Sequence, residues 1–283
     1  MFAVEYGLII GAIGIVAGLI GSLVGLGGAV VLTPLLTLAF GIPLPYAAGA
    51  GLVSAVATSS GSGIAYVKER IANIRIGMSL EIGTTLGAIA GALLAGYAYE
   101  RGLDPLMFII FGAVLLLSIY PAIKRKKVMK QDLADSSTRA FQLRGSYYDE
   151  SVKKRISYSG RRWWKGELIM TFAGLISGLL GIGSGALKVL AMNEIMNIPE
   201  KVSTTTSNFM IGVTAAVGSV IYWQLGYVQP FVAGAAAVGI IIGAFISSRY
   251  LNRIREGRIT SVFLAVLIII GIEMMLRGFG VGV

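Results

Sequence analysis

The stretch "GIGSGALKV", Gly181 to Val189, sets three glycines, one serine and one lysine into an otherwise apolar run. Its counterpart, "GLGGAVVLT", Gly25 to Thr33, holds glycines at matching places but has Leu32 where Lys188 falls. Displacing the chain by 156 residues, the difference between Gly181 and Gly25, brings more than these two stretches together. Ala17-Gly18-Leu19-Ile20 lies on Ala173-Gly174-Leu175-Ile176, Ile42-Pro43 on Ile198-Pro199, Thr58 on Thr214 and Tyr66 on Tyr222. Gly87 and Gly91 meet Gly239 and Gly243 at the slightly smaller displacement of 152 residues. One register held over so much chain reads as an internal duplication.

Composition places both copies in a bilayer. With 55% hydrophobic and 13% charged residues and a mean hydropathy of +0.80, the chain carries apolar runs suited to crossing hydrocarbon. It has no Cys and no His, which removes disulfides, thiolate chemistry and the usual zinc or copper ligands, so no metal and no cofactor is expected. The opening "MFAVEYGLII" has no basic segment ahead of its apolar run, so a retained first helix is expected rather than a cleaved signal. The net charge of +10 is concentrated: residues 124–165 hold 13 of the 24 basic and 4 of the 14 acidic residues. A single basic connector of this kind marks a cytoplasmic loop and a contact for anionic lipid, not a nucleic-acid site.

Each half divides into a glycine-broken pair of short apolar elements followed by three longer ones. The expected elements are 7–24, 28–41, 45–67, 76–98 and 105–123, then 166–181, 185–197, 201–224, 230–249 and 259–276. The expected fold is therefore an all-α polytopic membrane protein with repeats at 1–123 and 166–283, joined by the basic connector 124–165. That connector is either a small folded insert or a solvated linker, with Trp163, Trp164 and Lys165 as an interface anchor. The short pairs are tilted, incomplete spans or re-entrant hairpins, because 185–197 rises only about 20 Å against a hydrocarbon core of about 30 Å. Lys68, Arg70 and Arg75 mark one turn as internal, whereas the equivalent "QLGYVQP", 224–230, carries no charge. "YERGLD", 99–104, is net negative where its equivalent, 250–258, is basic. Opposite biases at equivalent loops predict halves inserted upside-down to each other, with both termini external and 124–165 cytoplasmic.

A glycine-rich break inside hydrocarbon is tolerated only where protein or a water-filled cavity surrounds it. Restarting a helix there leaves amide N–H groups and a positive dipole end for an anion. Gly27 and Gly28 in one half, and Gly183, Ser184 and Gly185 in the other, are the candidate anion cradle. Lys188, about one turn further, would add a full charge; its alternatives are an ion pair with Glu194 or Glu81, or snorkelling to the interface. The polar runs "ATSSGSG", 57–63, and "STTTSN", 203–208, offer Thr58, Ser59, Thr205, Thr206 and Asn208 as a hydroxyl and amide lining, unless the hydroxyls bond back to their own helices. Glu81 is either a proton-coupling carboxylate or a partner of Arg75 near the helix end. Glu273 and Arg277 read as an interfacial pair. The series Gly14, Gly18, Gly21 and Gly83, Gly87, Gly91 read as packing surfaces.

The paired segments "GLIGSLVGLGGAVVLTPLLTLAFGIP" and "GLISGLLGIGSGALKVLAMNEIMNIP", each followed by a Ser/Thr-rich helix, resemble the sulfite exporter TauE/SafE family. The resemblance implies a multispan transporter of the cytoplasmic membrane that moves sulfite, organosulfonates or related sulfur-containing anions, with inverted repeats and no cofactor. Ser184 departs from the third consecutive glycine common at that point, and Leu190 from a proline, which leaves the shape of the second break open. The function expected is thus a secondary, alternating-access transporter of a small anion, with a co-transported proton as the coupling partner. An anion channel is the alternative. With neither His nor Cys and no nucleophile and base at helical spacing, an enzyme is not expected.

Overall fold

In a computed structural model of the protein, the described residues are 2–24, 26–68, 71–119, 136–149, 153–250 and 257–281. Five helices occupy the first half: α1 (Phe2–Val24), α2 (Ala29–Leu38), α3 (Leu44–Lys68), α4 (Ile74–Glu100) and α5 (Asp104–Leu117). Five more follow in the second: α7 (Trp163–Leu180), α8 (Gly185–Leu190), α9 (Glu200–Gln224), α10 (Pro230–Tyr250) and α11 (Gly257–Gly278). Between them lie a short helix, α6 (Ser136–Ala140), and an antiparallel hairpin of β1 (Arg144–Asp149) and β2 (Lys154–Ser159). The expected elements are thus all present, and the described part of the connector is a folded insert. The side chain of Lys68, the turn residue Arg70, the start of the connector and most of the loop 250–258 fall outside what the structure describes.

Among the described residues, three helices are apolar and long enough to span by themselves: Val4–Ser22, Ile74–Glu100 and Pro230–Ser247. Their outer faces suit lipid. On α4, Met78, Ile82, Leu86 and Leu93 are more than half exposed and lie along one side, a stripe suited to hydrocarbon. The molecule is an all-α membrane protein.

The helices pair across the two halves. The first element of each half runs beside the fourth of the other, α1 with α10 and α4 with α7, and both pairs are parallel. Glycine makes these approaches. A methyl on Gly14 would sit 2.8 Å from the Ala236 carbonyl oxygen, and one on Gly18 would run into the Ile240 backbone. Gly87 and Gly91 lie in the same way against the Thr171 and Leu175 carbonyls, and Gly174 and Gly178 against those of Thr84 and Ala88. Without side chains at these points, backbones close to the short distance that dispersion and weak hydrogen bonds reward in lipid.

Two ends of the bundle are distinct. At one, Tyr227 meets the rings of Tyr46, Tyr99 and Tyr222 at 5.8, 5.7 and 6.2 Å. The start of α1 belongs to this end, since Gly7 lies against Phe231 at the start of α10. At the other, the insert closes over the turn between α3 and α4. Asn73 donates to the Tyr158 hydroxyl at 2.8 Å, and the Arg161 amide donates to the Met196 carbonyl at 2.9 Å. A second hydrophobic cluster forms there from Leu143 and Tyr147 of the insert with Ile76, Leu80, Met170, Met192, Met196 and Met210. Trp163 is not an interface anchor: it is 7% exposed, stacked on Phe141 at 3.9 Å and bonded through Nε1 to Ser79. Trp164, 72% exposed, fits that part.

The short elements are short for identifiable reasons. α2 has ten residues and carries Pro34 inside it. α8 has six, then widens into a π-turn, Ala191–Ile195, closed by the Met196 amide on the Ala191 carbonyl at 3.0 Å. At 1.5 Å per residue neither reaches more than about 17 Å, far less than a bilayer core.

Candidate functional site

Both glycine breaks are built from left-handed backbone. Gly27 has φ of +82°, Gly181 +71° and Gly183 +76°, values glycine adopts freely. Ser184 has φ of +48°, where an L side chain is strained, so the departure from glycine at this position keeps the turn at an energetic cost. The two breaks converge. A methyl on Gly27 would lie 3.4 Å from Ile211 Cδ1, and one on Gly183 2.9 Å from Ile211 Cγ2 and 3.5 Å from Ala55 Cβ. The breaks therefore flank the crossing of α3 and α9, with Ile211 between them.

Polar side chains tie this centre together across the halves. The Gly28 amide donates to Thr58 Oγ1 at 3.3 Å. Asn208 donates to the Ser22 carbonyl at 3.3 Å, and Ser207 to the Gly185 carbonyl at 3.2 Å, so adjacent residues of α9 hold the chain at each break. Thr33 of α2 donates to the Gly181 carbonyl at 3.4 Å, packed against Gly51. Several polar atoms here are buried without a protein partner: Asn208 Oδ1, and the hydroxyls of Ser54, Ser177 and Ser184. Buried atoms left in that condition are costly unless something outside the protein satisfies them.

Lys188 is fully buried. Its Nζ donates to Thr214 Oγ1 at 2.5 Å, and Thr214 Oγ1 lies 2.6 Å from Glu81 Oε1 and 3.0 Å from the Met210 carbonyl. A threonine hydroxyl thus stands between ammonium and carboxylate, accepting from the first and donating to the second. Glu81 is 5% exposed, with its second oxygen, Oε2, unpartnered. The structure joins Lys188 to Glu81, not to the interface. Arg75, which is exposed, reaches Gln142 of the insert instead of Glu81.

The proposed lining is only partly assembled. Thr58 faces the first break, while Ser59 donates to the Phe209 carbonyl at 3.3 Å and packs against Gly212. Thr205 turns its hydroxyl to the Lys201 and Val202 carbonyls of its own helix, and Thr206 accepts from the Asn73 amide at 3.0 Å, toward the insert. Thr58, Ser60 and Ser62 also donate one turn back along α3. Arg277 extends to the Thr37 carbonyl at the end of α2 and stacks over Phe108.

Three residues of the site were not singled out from sequence. Thr214 carried a signal, its match with Thr58 across the repeat. Glu167 carried another, an acid inside the apolar element 166–181; its Oε1 accepts from the Gly83 amide at 2.8 Å. Ile211 carried none, since one isoleucine among many says nothing of what faces it.

The family profile described as "Sulfite exporter TauE/SafE" matches residues 10–274, both halves and both breaks included. The chain belongs to the sulfite exporter TauE/SafE family. It is 29% identical over 276 residues to "Probable membrane transporter protein YunE" of Bacillus subtilis (strain 168), covering 97% of each chain. It is 24% identical over 248 residues to "Probable membrane transporter protein YdhB" of the same organism, covering 87% of this chain and 86% of that one. No solved structure matches. Membership and relatives make this TauE/SafE protein a membrane transporter, a role other than catalysis.

Proposed function

We propose that this transporter carries a small anion, a sulfur oxoanion or an organosulfonate, by alternating access between two inverted repeats in the cytoplasmic membrane. The parallel pairing of first with fourth elements, and the start of α1 and α7 at opposite ends, support the inversion. The end carrying the basic insert would be cytoplasmic under the positive-inside rule, leaving both termini outside.

The observation that carries the reading is a fully buried ammonium, four residues past Ser184, in a bundle whose two helix breaks meet at one point. A charge at the membrane centre costs about 2.5–3.5 kcal/mol on insertion scales, so its retention points to function. Gly27, Gly28, Gly183, Ser184 and Gly185 supply backbone amides. Thr58 and Asn208 supply side-chain groups close to those breaks, and Ser59, Thr205 and Thr206 would join only after α3 and α9 move. In the described state the Thr58 hydroxyl occupies the Gly28 amide and Glu81 neutralises Lys188. An arriving anion would replace both partners, and Glu81 would take up a proton as it loses its cation.

The test is flux of sulfite and sulfoacetate in proteoliposomes. Lys188→Met is expected to abolish saturable uptake and counterflow in protein that still folds; wild-type flux in that variant overturns the charge role. Ohmic single-channel currents in place of counterflow would make the protein an anion channel. A heat-stability screen with sulfite, sulfate, sulfoacetate, taurine and chloride would rank ligands, since a ligand at 100 times its Kd stabilises by about 2.7 kcal/mol.

A further inference from the structure

The structure assigns Glu167 as the residue that passes a proton between water at the insert end and Glu81. This rests on the carrier reading, in which Glu81 alternates between charged and neutral forms, and adds a second carboxylate that the reading does not use. Glu81 lies eight residues into α4 and is closed off from solvent. Glu167 is the fifth residue of α7, half-buried, one turn in from the exposed Trp164 and Lys165. Glu167 lies in the glycine-lined seam of α4 and α7, at the turn of α4 that carries Glu81. Glu167 Oε1 accepts from the amide of Gly83, two residues from Glu81, and a methyl on Gly83 would sit 2.6 Å from that oxygen.

Each carboxylate also has one oxygen committed and one free. Oε1 of Glu81 faces Thr214 and, at 3.4 Å, Thr85; Oε1 of Glu167 faces Gly83. Oε2 of both is buried with no partner, a place for a proton on each acid. Charge counting agrees. Of the two carboxylates only Glu81 is linked to the buried ammonium, through Thr214, and the negative charge left over is removed by one proton held on either acid. Among the described residues, the other charged groups on the surrounding elements are Glu194 in the π-turn, Glu200 and Lys201 at the start of α9, Arg75, Arg162 and Lys165 toward the insert, and Glu100 at the far end of α4; Lys188 is the cation linked to Glu81 through Thr214. The transfer is balanced: the Glu167 carboxylic acid gives its proton to the Glu81 carboxylate, becomes a carboxylate, and is reprotonated from water at the insert end.

The test uses the full chain. In proteoliposomes, Glu167→Gln should lower pH-gradient-driven sulfoacetate uptake more than it lowers counterflow, by about tenfold, with Glu167→Asp restoring most of the loss. A merely structural acid would depress both readings together. Infrared difference spectra between acid and alkaline pH should lose one protonated-carboxyl band in Glu167→Gln and another in Glu81→Gln. Equal losses of driven uptake and counterflow, or an unchanged infrared difference in Glu167→Gln, overturn the assignment. Counterflow with no response to a pH gradient in the unmutated protein also overturns it while the carrier stands. Where the unmutated protein moves no sulfoacetate, the carrier reading fails for that probe, and the infrared bands alone decide whether Glu167 holds a proton.

Discussion

Lys188, Thr214 and Glu81 set the chemistry at the scale of single residues. The ammonium stands inside hydrocarbon because a hydroxyl from α9 reaches it and links it to a carboxylate on α4. Removing one member of such a pair leaves the other buried and unpaired, which typically costs about 3–5 kcal/mol, whereas removing both often costs little. Lys188→Met and Glu81→Gln should therefore each destabilise the purified protein, and the double variant should be more stable than the sum of the single losses by about 1–3 kcal/mol. Thermal or denaturant unfolding of the four proteins measures this; simple additivity would mean that the two groups do not interact. Leu32, at the equivalent place in the first half, is also fully buried, so the fold accepts an apolar side chain there. The lysine is an asymmetry placed on a symmetric frame.

Among elements, the seams of α4 with α7 and α1 with α10 organise the bundle, and glycine sets their spacing. A methyl on Gly91 would press on the Leu175 carbonyl, while one on Gly234, in α10, meets nothing within 4 Å. Gly91→Ala should destabilise by about 1–3 kcal/mol through overpacking. Gly234→Ala should be neutral or stabilising by up to about 1 kcal/mol, because alanine is the better helix former. Melting temperatures of both variants in the same detergent test this, and equal shifts would sink the packing argument. These glycines were legible as packing surfaces because they recur three or four residues apart, the spacing of one helix face. The π-turn after α8 was not legible: its cause is the join of a short half-helix to the Asn197 turn, where the chain has to fit α7 and α9 at once.

Across the whole molecule, the charge pattern of the loops and the architecture agree. Asn73, in the turn after α3, is bonded to the basic insert, while Tyr99 and Tyr227, in the net negative and the uncharged turn, share the opposite end. The native chain has no cysteine, so single cysteines report sidedness cleanly. Lys153→Cys in the insert and Gln229→Cys in the α9–α10 turn should be labelled by an impermeant maleimide from opposite faces of intact cells, with Lys153 reached only after permeabilisation. Labelling of both from outside would overturn the orientation. The sequence by itself determined the membrane class, the ten principal elements and the two breaks, because hydropathy, helical spacing and glycine punctuation are local properties that a linear chain carries openly. Tertiary structure alone decided that both breaks meet at Ile211, that Thr214 links Lys188 to Glu81, that Glu167 lies beside Gly83, and that Thr205 and Thr206 face away. Those are contacts between residues as much as 184 positions apart, Gly27 to Ile211, and only the packing of backbone against backbone brings them within hydrogen-bonding or van der Waals reach.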